Sequence, residues 1–130
     1  MKTQISFMTG LFKSGVRQQA TASDRLLGED IALWFINKSK GGEFTFGVPV
    51  QDQAGWSEMA RADGEEFKLG FEIAHATVGS DYAEWHITIG KGGVLGIFGS
   101  KDSTVRGRLC DHIHNVLRDE RQVREVQWGD

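Results

Sequence analysis

The chain has 130 residues, of which 39% are hydrophobic and 25% are charged, and its net charge is −3. These values are typical of one folded soluble domain. A chain of this length buries roughly two-thirds of the surface of its unfolded state, so it needs neither disulfides nor a metal to fold. The single cysteine, Cys110, excludes an internal disulfide and favours a cytoplasmic protein. No segment approaches the roughly 20 apolar residues of a membrane span, and residues 1–10 lack the apolar stretch of a signal peptide.

The charge is distributed unevenly along the chain. Residues 1–28 contain four basic residues and one acidic residue, whereas residues 43–84 contain nine acidic and two basic residues. An acidic body disfavours binding to nucleic-acid phosphates and to anionic membranes, because both recruit Lys and Arg. Two interpretations of the acidic region stay open. It is either a solvated surface that aids solubility or a patch that attracts a basic protein partner.

Six segments predict β-strands. Phe67, Leu69, Phe71 and Ile73 alternate strictly with polar residues or glycine, and a half-buried strand has this period of two. After a strand predicted over residues 1–8, the rest of residues 1–22 is interpreted as an N-terminal arm that either docks on the domain or is mobile. The predicted strands are residues 1–8, Glu43–Phe46, Trp56–Ala62, Glu66–His75, Tyr82–Ile89 and Gln122–Trp128.

Two helices are predicted from apolar side chains at helical spacing. The first begins at Ser23 or Gly28 and ends at Ser39, and its wide apolar stripe, which includes Leu33, predicts burial over more than half of its girth. Gly41 and Gly42 then supply the left-handed stop. The second helix is predicted over Thr104–Arg118, with Ser103 as its cap. Its expected buried face consists of Val105, Leu109, Ile113, Val116 and Leu117.

The order of these elements predicts the fold class. The pair Asp63-Gly64 between two alternating segments favours a hairpin with a type I′ turn. Pro49 cannot donate a ladder hydrogen bond, so its strand is expected at an edge of the sheet or to end there. The sequence therefore predicts a single α+β domain: an antiparallel meander of four to six strands, with two helices packed on one face.

Glu58 is the first candidate for chemistry. If Asp63-Gly64 is a two-residue turn, Glu58 pairs with Leu69 and faces the core, where burial would raise its pKa toward that of a general acid. If the turn has three residues and a bulge, Met59 faces the core and Glu58 faces water. A solvated Glu58 is the favoured expectation. An enzyme would need a site that combines Glu58 with His75 and His86.

Cys110, His112 and His114 are the second candidate. Cys110 and His114 share a helix face, as thiolate and imidazole ligands of zinc can, but His112 lies off that face. Two ligands are too few for a structural site. We therefore expect no metal and no cofactor, with a buried Cys110 and two surface histidines. No nearby charge would activate Cys110 as a nucleophile.

Apolar residues at predicted surfaces are the third candidate. Residues 90–101 are rich in glycine but match neither the P-loop nor the dinucleotide-binding pattern. The apolar side chains in this loop either cap the core or contact a partner. Two of the four tryptophans could also mark a binding surface: Trp56, at the start of a predicted strand, and Trp128, two residues before the last residue. The possible partner-binding residues are Val94, Leu95, Ile97, Phe98, Trp56 and Trp128.

These observations favour a small, acidic, non-catalytic domain that binds another protein, as an adaptor, an inhibitor or an immunity-like protein does. The alternatives are a homo-oligomeric assembly subunit or, less favoured, an enzyme with a site near Glu58, His75 and His86. A protein partner or self-association is expected rather than a small molecule, a nucleic acid or a membrane.

Overall fold

The computed structural model of the chain describes residues 4–10, 29–52, 55–76, 83–91 and 104–129, and these residues form two α-helices and seven β-strands. The helices are α1, Glu29–Lys38, and α2, Thr104–Arg118. The strands are β1, Gln4–Thr9; β2, Thr45–Phe46; β3, Val50–Asp52; β4, Gly55–Ala62; β5, Glu65–Ala76; β6, Ala83–Lys91; and β7, Val123–Gly129.

All seven strands belong to one antiparallel sheet, which confirms the α+β fold and exceeds the expected strand number by one. The order across the sheet is β2-β4-β5-β6-β1-β7, and β3 also pairs with β4. Strands β4, β5 and β6 form the predicted meander. The N-terminal strand β1 lies between β6 and β7, so the first and last strands of the chain are neighbours inside the sheet.

The β4–β5 hairpin has the predicted two-residue turn. Asp63 and Gly64 have φ angles of 52° and 80°, which is the left-handed pair that a type I′ turn requires. The turn fixes the register, so that Ala60 lies opposite Phe67 and Glu58 lies opposite Leu69. Side chains in such pairs project from the same face of the sheet.

The two faces of the sheet differ in chemistry. The inner face is apolar and almost completely buried, and its side chains form one core with the buried residues of both helices. The outer face carries mainly polar and small residues that are half-exposed. The inner face includes Ile5, Phe7, Ala60, Phe67, Leu69, Phe71, Trp85, Ile87 and Ile89, and the outer face includes Gln4, Ser6, Met8, Ser57, Lys68, Gly70, Glu72, Glu84, His86 and Thr88.

Helix α1 buries a narrower stripe than the sequence predicts. Ile31, Ala32 and Phe35 are buried, whereas Leu33 is 51% exposed, so the expectation of burial over more than half of the girth is wrong. The ring of Phe35 lies 6.0 Å from that of Phe71 on the inner face. The predicted end of the helix is confirmed, since Gly41 follows with a φ of 85°.

Helix α2 has the predicted bounds and buries most of the predicted face. Val105, Leu109, Ile113 and Leu117 are buried, and Val116 is half-buried. His114 of α2 accepts a hydrogen bond at Nδ1 from the indole nitrogen of Trp128 on β7, at 3.3 Å. Within the described part of the chain, neither helix is long and apolar enough to cross a membrane.

The two edges of the sheet are unequal. One edge consists of β2 and β3, which have two and three residues and are separated by a segment that contains Pro49. The expectation of an edge position for Pro49 is therefore confirmed. The other edge is β7, which has seven residues and is paired with β1 on one side.

Candidate functional site

Glu58 is buried in the core, contrary to the favoured expectation of a solvated side chain. The two-residue turn decides this, because it sets Glu58 opposite Leu69 on the inner face. Glu58 is only 2% exposed, and neither oxygen of its carboxyl group has a hydrogen-bond partner among the described residues. A one-residue change in register would instead have buried Met59.

Burial raises the pKa of Glu58 from 4.5 to about 8, because a charged carboxylate loses its hydration in an apolar environment. Glu58 is therefore a neutral acid at pH 7. A neutral acid can donate a proton, but catalysis also requires that a substrate reach the carboxyl group. A cleft among the described residues lies on the opposite face of the sheet, and it gives no access to Glu58.

The structure does not bring His86 to Glu58. His86 lies opposite Ser6 and Glu72 on the outer face, so the sheet separates its ring from Glu58. Past an irregularity in β5, the backbone of His75 pairs with that of Glu84 rather than continuing the register of the inner face. The sheet therefore separates His86 from Glu58, and the side chain of His75 lies outside the described residues.

Both ring nitrogens of His86 are engaged in hydrogen bonds. The amide nitrogen of Gln4 lies 2.9 Å from Nδ1, and a carboxylate oxygen of Glu84 lies 2.7 Å from Nε2. Gln4 therefore donates to Nδ1, and Nε2–H donates to Glu84. This network fixes three side chains on the outer face and leaves no ring nitrogen available as a general base.

The three candidate metal ligands on α2 have different surroundings. Cys110 is buried as expected, whereas both histidines are half-buried, so the expectation of surface histidines is wrong. His114 accepts the hydrogen bond of Trp128, and His112 contacts the hydroxyl of Ser39 at 2.7 Å. Among the described residues, no three His, Cys, Asp or Glu side chains lie together as a metal site would require.

His112 is packed among aromatic rings. It lies 5.7 to 6.3 Å from the rings of Phe35, Phe44 and Phe46. The Ser39 hydroxyl donates to the Phe35 carbonyl oxygen at 2.7 Å, so Nε2–H of His112 donates to the Ser39 oxygen. Loss of hydration lowers the pKa of His112. This histidine is therefore a neutral residue that joins α2 to the end of α1.

Part of the acidic charge in residues 43–84 is compensated within the protein. Glu58 is neutral at pH 7, and Glu66 pairs with Arg61. Arg108 of α2 contacts both Glu43, at 3.1 Å, and Asp63, at 2.5 Å. The acidic composition therefore overstates the negative charge that this region offers to a basic partner.

A cleft of about 210 Å³ lies on the outer face, across β4, β5 and β6. Gly70 of β5 is at its centre and lies opposite both Ser57 and Thr88 on the neighbouring strands. Lys68 and Glu72 line the cleft two residues before and two residues after Gly70. The cleft therefore has a residue without a side chain at its centre, with a serine and a threonine on the neighbouring strands and two opposite charges at its ends.

Glycine is present at two positions of this cleft for different physical reasons. A β-carbon on Gly55 would come within 2.8 Å of the Phe71 carbonyl oxygen, and the φ of Gly55 is 139°, so the backbone itself requires glycine there. A β-carbon on Gly70 would meet only the side chain of Thr88, with its hydroxyl oxygen at 2.6 Å. The sequence signal for the cleft was the glycine within an otherwise alternating strand, which indicates a bulge or a close approach.

The predicted partner-binding residues have mixed outcomes. Trp56 is half-buried, lies opposite the inner-face residue Phe71 in the ladder, and also borders the cleft. Trp128 is also half-buried, but it packs against the core and binds His114. Residues 92–103 lie outside the described residues, and with them the four predicted positions Val94, Leu95, Ile97 and Phe98.

Comparisons with known proteins give no relative for this chain. No protein-family model, no curated protein and no solved structure matches its sequence or fold. Function must therefore be argued from the surfaces and sites of the chain itself.

Proposed function

We propose that this chain is a small non-catalytic domain that binds another protein through the outer face of its sheet. The observation that carries this proposal is the contrast between the two faces. The buried residues of both helices pack with the inner face, whereas the outer face has a cleft at its centre and half-exposed side chains. An ordered surface with a concave site is typical of protein recognition.

The chemistry of the ionisable groups supports a binding role over catalysis. Glu58 is an acid without access from the described cleft, and the nitrogens of His86 are both engaged. The acidic composition disfavours nucleic acid as the partner. The thiol of Cys110 is buried, and a single buried cysteine suits a reducing compartment, so we propose a cytoplasmic adaptor, inhibitor or immunity-like protein.

Copurification with outer-face variants tests this proposal. The tagged full-length chain is purified from the cells that naturally produce it, alongside Ser6→Arg and Asn115→Arg. Ser6 is half-exposed on the outer face and outside the cleft, whereas Asn115 is exposed on α2. We expect a stoichiometric protein partner with the wild type and Asn115→Arg and its loss with Ser6→Arg, although all three melt at similar temperatures. Retention of the partner by Ser6→Arg would disprove the use of this face.

The unequal edges of the sheet support a second candidate, which is a homo-oligomer assembled through β7. A seven-residue edge strand can pair with another strand, whereas the short strands β2 and β3 are poor templates. Sedimentation over a range of concentrations, with hydrogen exchange of the β7 amides, distinguishes the candidates. Assembly predicts that exchange slows as concentration rises, and a monomer with constant exchange excludes it.

A further inference from the structure

The centre of the outer-face cleft is a position without a side chain in an internal strand. Gly70 lies in β5, which has a partner strand on each side. Glycine is unfavourable within a strand, because it loses much conformational freedom on folding and packs no side chain. Gly70 is not among the residues with positive φ, so its backbone conformation does not require glycine.

The side chains opposite Gly70 are small, and the hydroxyl oxygen of Thr88 covers part of it, 2.6 Å from where a β-carbon would be. Ser57 and Thr88 flank it on the neighbouring strands. In a sheet, an aromatic side chain in a position opposite glycine shields the exposed backbone by lying across it. The described part of this chain supplies no such ring at either opposite position, so the surface that a ring would cover remains the floor of the cleft.

The volume of the cleft indicates the size of the group that it can hold. Sites for cofactors and drug-sized molecules usually occupy roughly 300–1,000 Å³. The cleft is smaller, at about 210 Å³, and suits one large side chain of a partner. Aromatic anchors seated in pockets contribute much of the binding energy of protein interfaces. The hydroxyl group of Thr88, which is half-exposed, also offers a hydrogen bond to the N–H of an indole or the O–H of a phenol.

The charges at the two ends of the cleft determine where a charged residue of the partner can lie. Glu72 lies at one end of the cleft. Its cross-strand partner on β6 is His86, which is hydrogen-bonded to Glu84 of the same strand. Lys68 lies at the opposite end. A basic residue next to the aromatic anchor is therefore favoured at the Glu72 end and disfavoured at the Lys68 end.

From these four observations, we propose that the Gly70 cleft is an anchor site for an aromatic side chain of the partner protein, followed or preceded by a basic residue that pairs with Glu72. This inference rests on the proposed function, since it names the chemistry that the outer face recognises.

Nuclear magnetic resonance with capped dipeptides tests the site on the full-length chain. The probes are N-acetyl-Trp-Arg-amide, N-acetyl-Trp-Glu-amide and N-acetyl-Leu-Arg-amide at millimolar concentrations. We expect saturable shifts of the Gly70, Thr88 and Gly90 amide signals with the Trp-Arg probe, and at least about tenfold weaker binding of the Leu-Arg probe, a ratio typical of losing a buried anchor. Absence of shifts at these amides, or equal binding of all three probes, would overturn the proposal.

Two variants extend the test. Gly70→Val fills the cleft and is expected to abolish the shifts, whereas Gly107→Ala on α2 is the control and keeps them. Glu72→Lys leaves the floor intact and is expected to reverse the preference, so that the Trp-Glu probe binds more tightly than the Trp-Arg probe. An unchanged preference would refute the role of Glu72 even if Gly70→Val failed to fold.

The same variants separate this inference from the proposed function. If the wild type copurifies with a protein that folded Gly70→Val still binds equally well, the anchor site is wrong and the binding function stands. If Ser6→Arg also keeps that protein, the use of the outer face is wrong as well.

Discussion

Glu58 lies directly opposite Leu69 in the β4–β5 ladder, so a carboxyl group and an aliphatic side chain project into the same core. Neither oxygen of the carboxyl group has a hydrogen-bond partner among the described residues. A buried polar group without a partner lowers the stability of a protein. Protonation limits this cost, because the neutral acid is far cheaper to bury than the carboxylate. This pairing therefore makes the stability of the protein depend on pH.

The first prediction concerns Glu58 and alkaline pH. The folded state raises the pKa of Glu58 from 4.5 to about 8, so between these values the folded state binds more protons than the unfolded state. The free energy of unfolding therefore falls as pH rises through this range and Glu58 loses its proton, by roughly 3–5 kcal/mol in total. Glu58→Gln should remove this loss and be more stable than the wild type at pH 8.

Urea denaturation of both proteins from pH 4 to pH 9 measures the difference. The control is Glu65→Gln, a half-exposed glutamate at the start of β5. Its stability should follow the pH dependence of the wild type. A constant difference between wild type and Glu58→Gln across this range would show that Glu58 does not titrate as burial requires.

The second prediction concerns His112 and acid pH. Burial lowers its pKa in the folded state below the ordinary value of 6.5, so the unfolded state takes up the proton first as pH falls. The stability that neutral His112 provides is present above pH 6.5 and is lost as pH falls below it. His112→Gln should show a weaker loss between pH 7 and pH 5. Proton NMR of the imidazole should give a midpoint below 6.5, and a midpoint at or above 6.5 would contradict the prediction.

The third prediction compares two glycines. A β-carbon at Gly64 or at Gly107 would meet no other atom within 4 Å, so alanine fits sterically at both positions. They differ in backbone conformation, because Gly64 has a φ of 80° and Gly107 lies within α2. Gly64→Ala should destabilise the protein by about 1–2 kcal/mol, the cost of a left-handed residue with a side chain. Gly107→Ala should stabilise it by about 0.5–1 kcal/mol.

Thermal and urea denaturation of the two alanine variants check these opposite signs. A Gly64→Ala variant as stable as the wild type would show that the hairpin tolerates another turn. Gly107→Ala also shows whether α2 carries a functional constraint, since a loss of partner binding without a loss of stability would place Gly107 at an interface.

The fourth prediction tests the two faces of β6. Ile87 is fully buried on the inner face, and its neighbour Thr88 is half-exposed on the outer face. Ile87→Ala should destabilise the protein by about 2–5 kcal/mol, because it removes a buried side chain and leaves a cavity. Thr88→Ala should cost less than about 1 kcal/mol. Equal losses in urea denaturation would mean that both faces are buried.

The sequence by itself determined the local elements of this protein. Alternation along β5 and β6 predicts strands with one buried face, since side chains of a strand project to opposite sides. Asp63-Gly64 predicts the hairpin turn, because the turn needs two positive φ angles. The bounds of α2 follow from the apolar side chains at helical spacing between Thr104 and Arg118. Each of these features depends on a few neighbouring residues.

Only the tertiary structure decided how distant segments combine. The position of β1 between β6 and β7 depends on pairing across nearly the whole chain, and no local pattern encodes such a partner. The narrow buried stripe of α1, with Leu33 exposed, depends on which surface that helix meets. The burial of Glu58 depends on both the local sequence and the tertiary structure. The sequence defined both registers, and the two-residue turn, fixed within the folded sheet, placed the carboxyl group in the core.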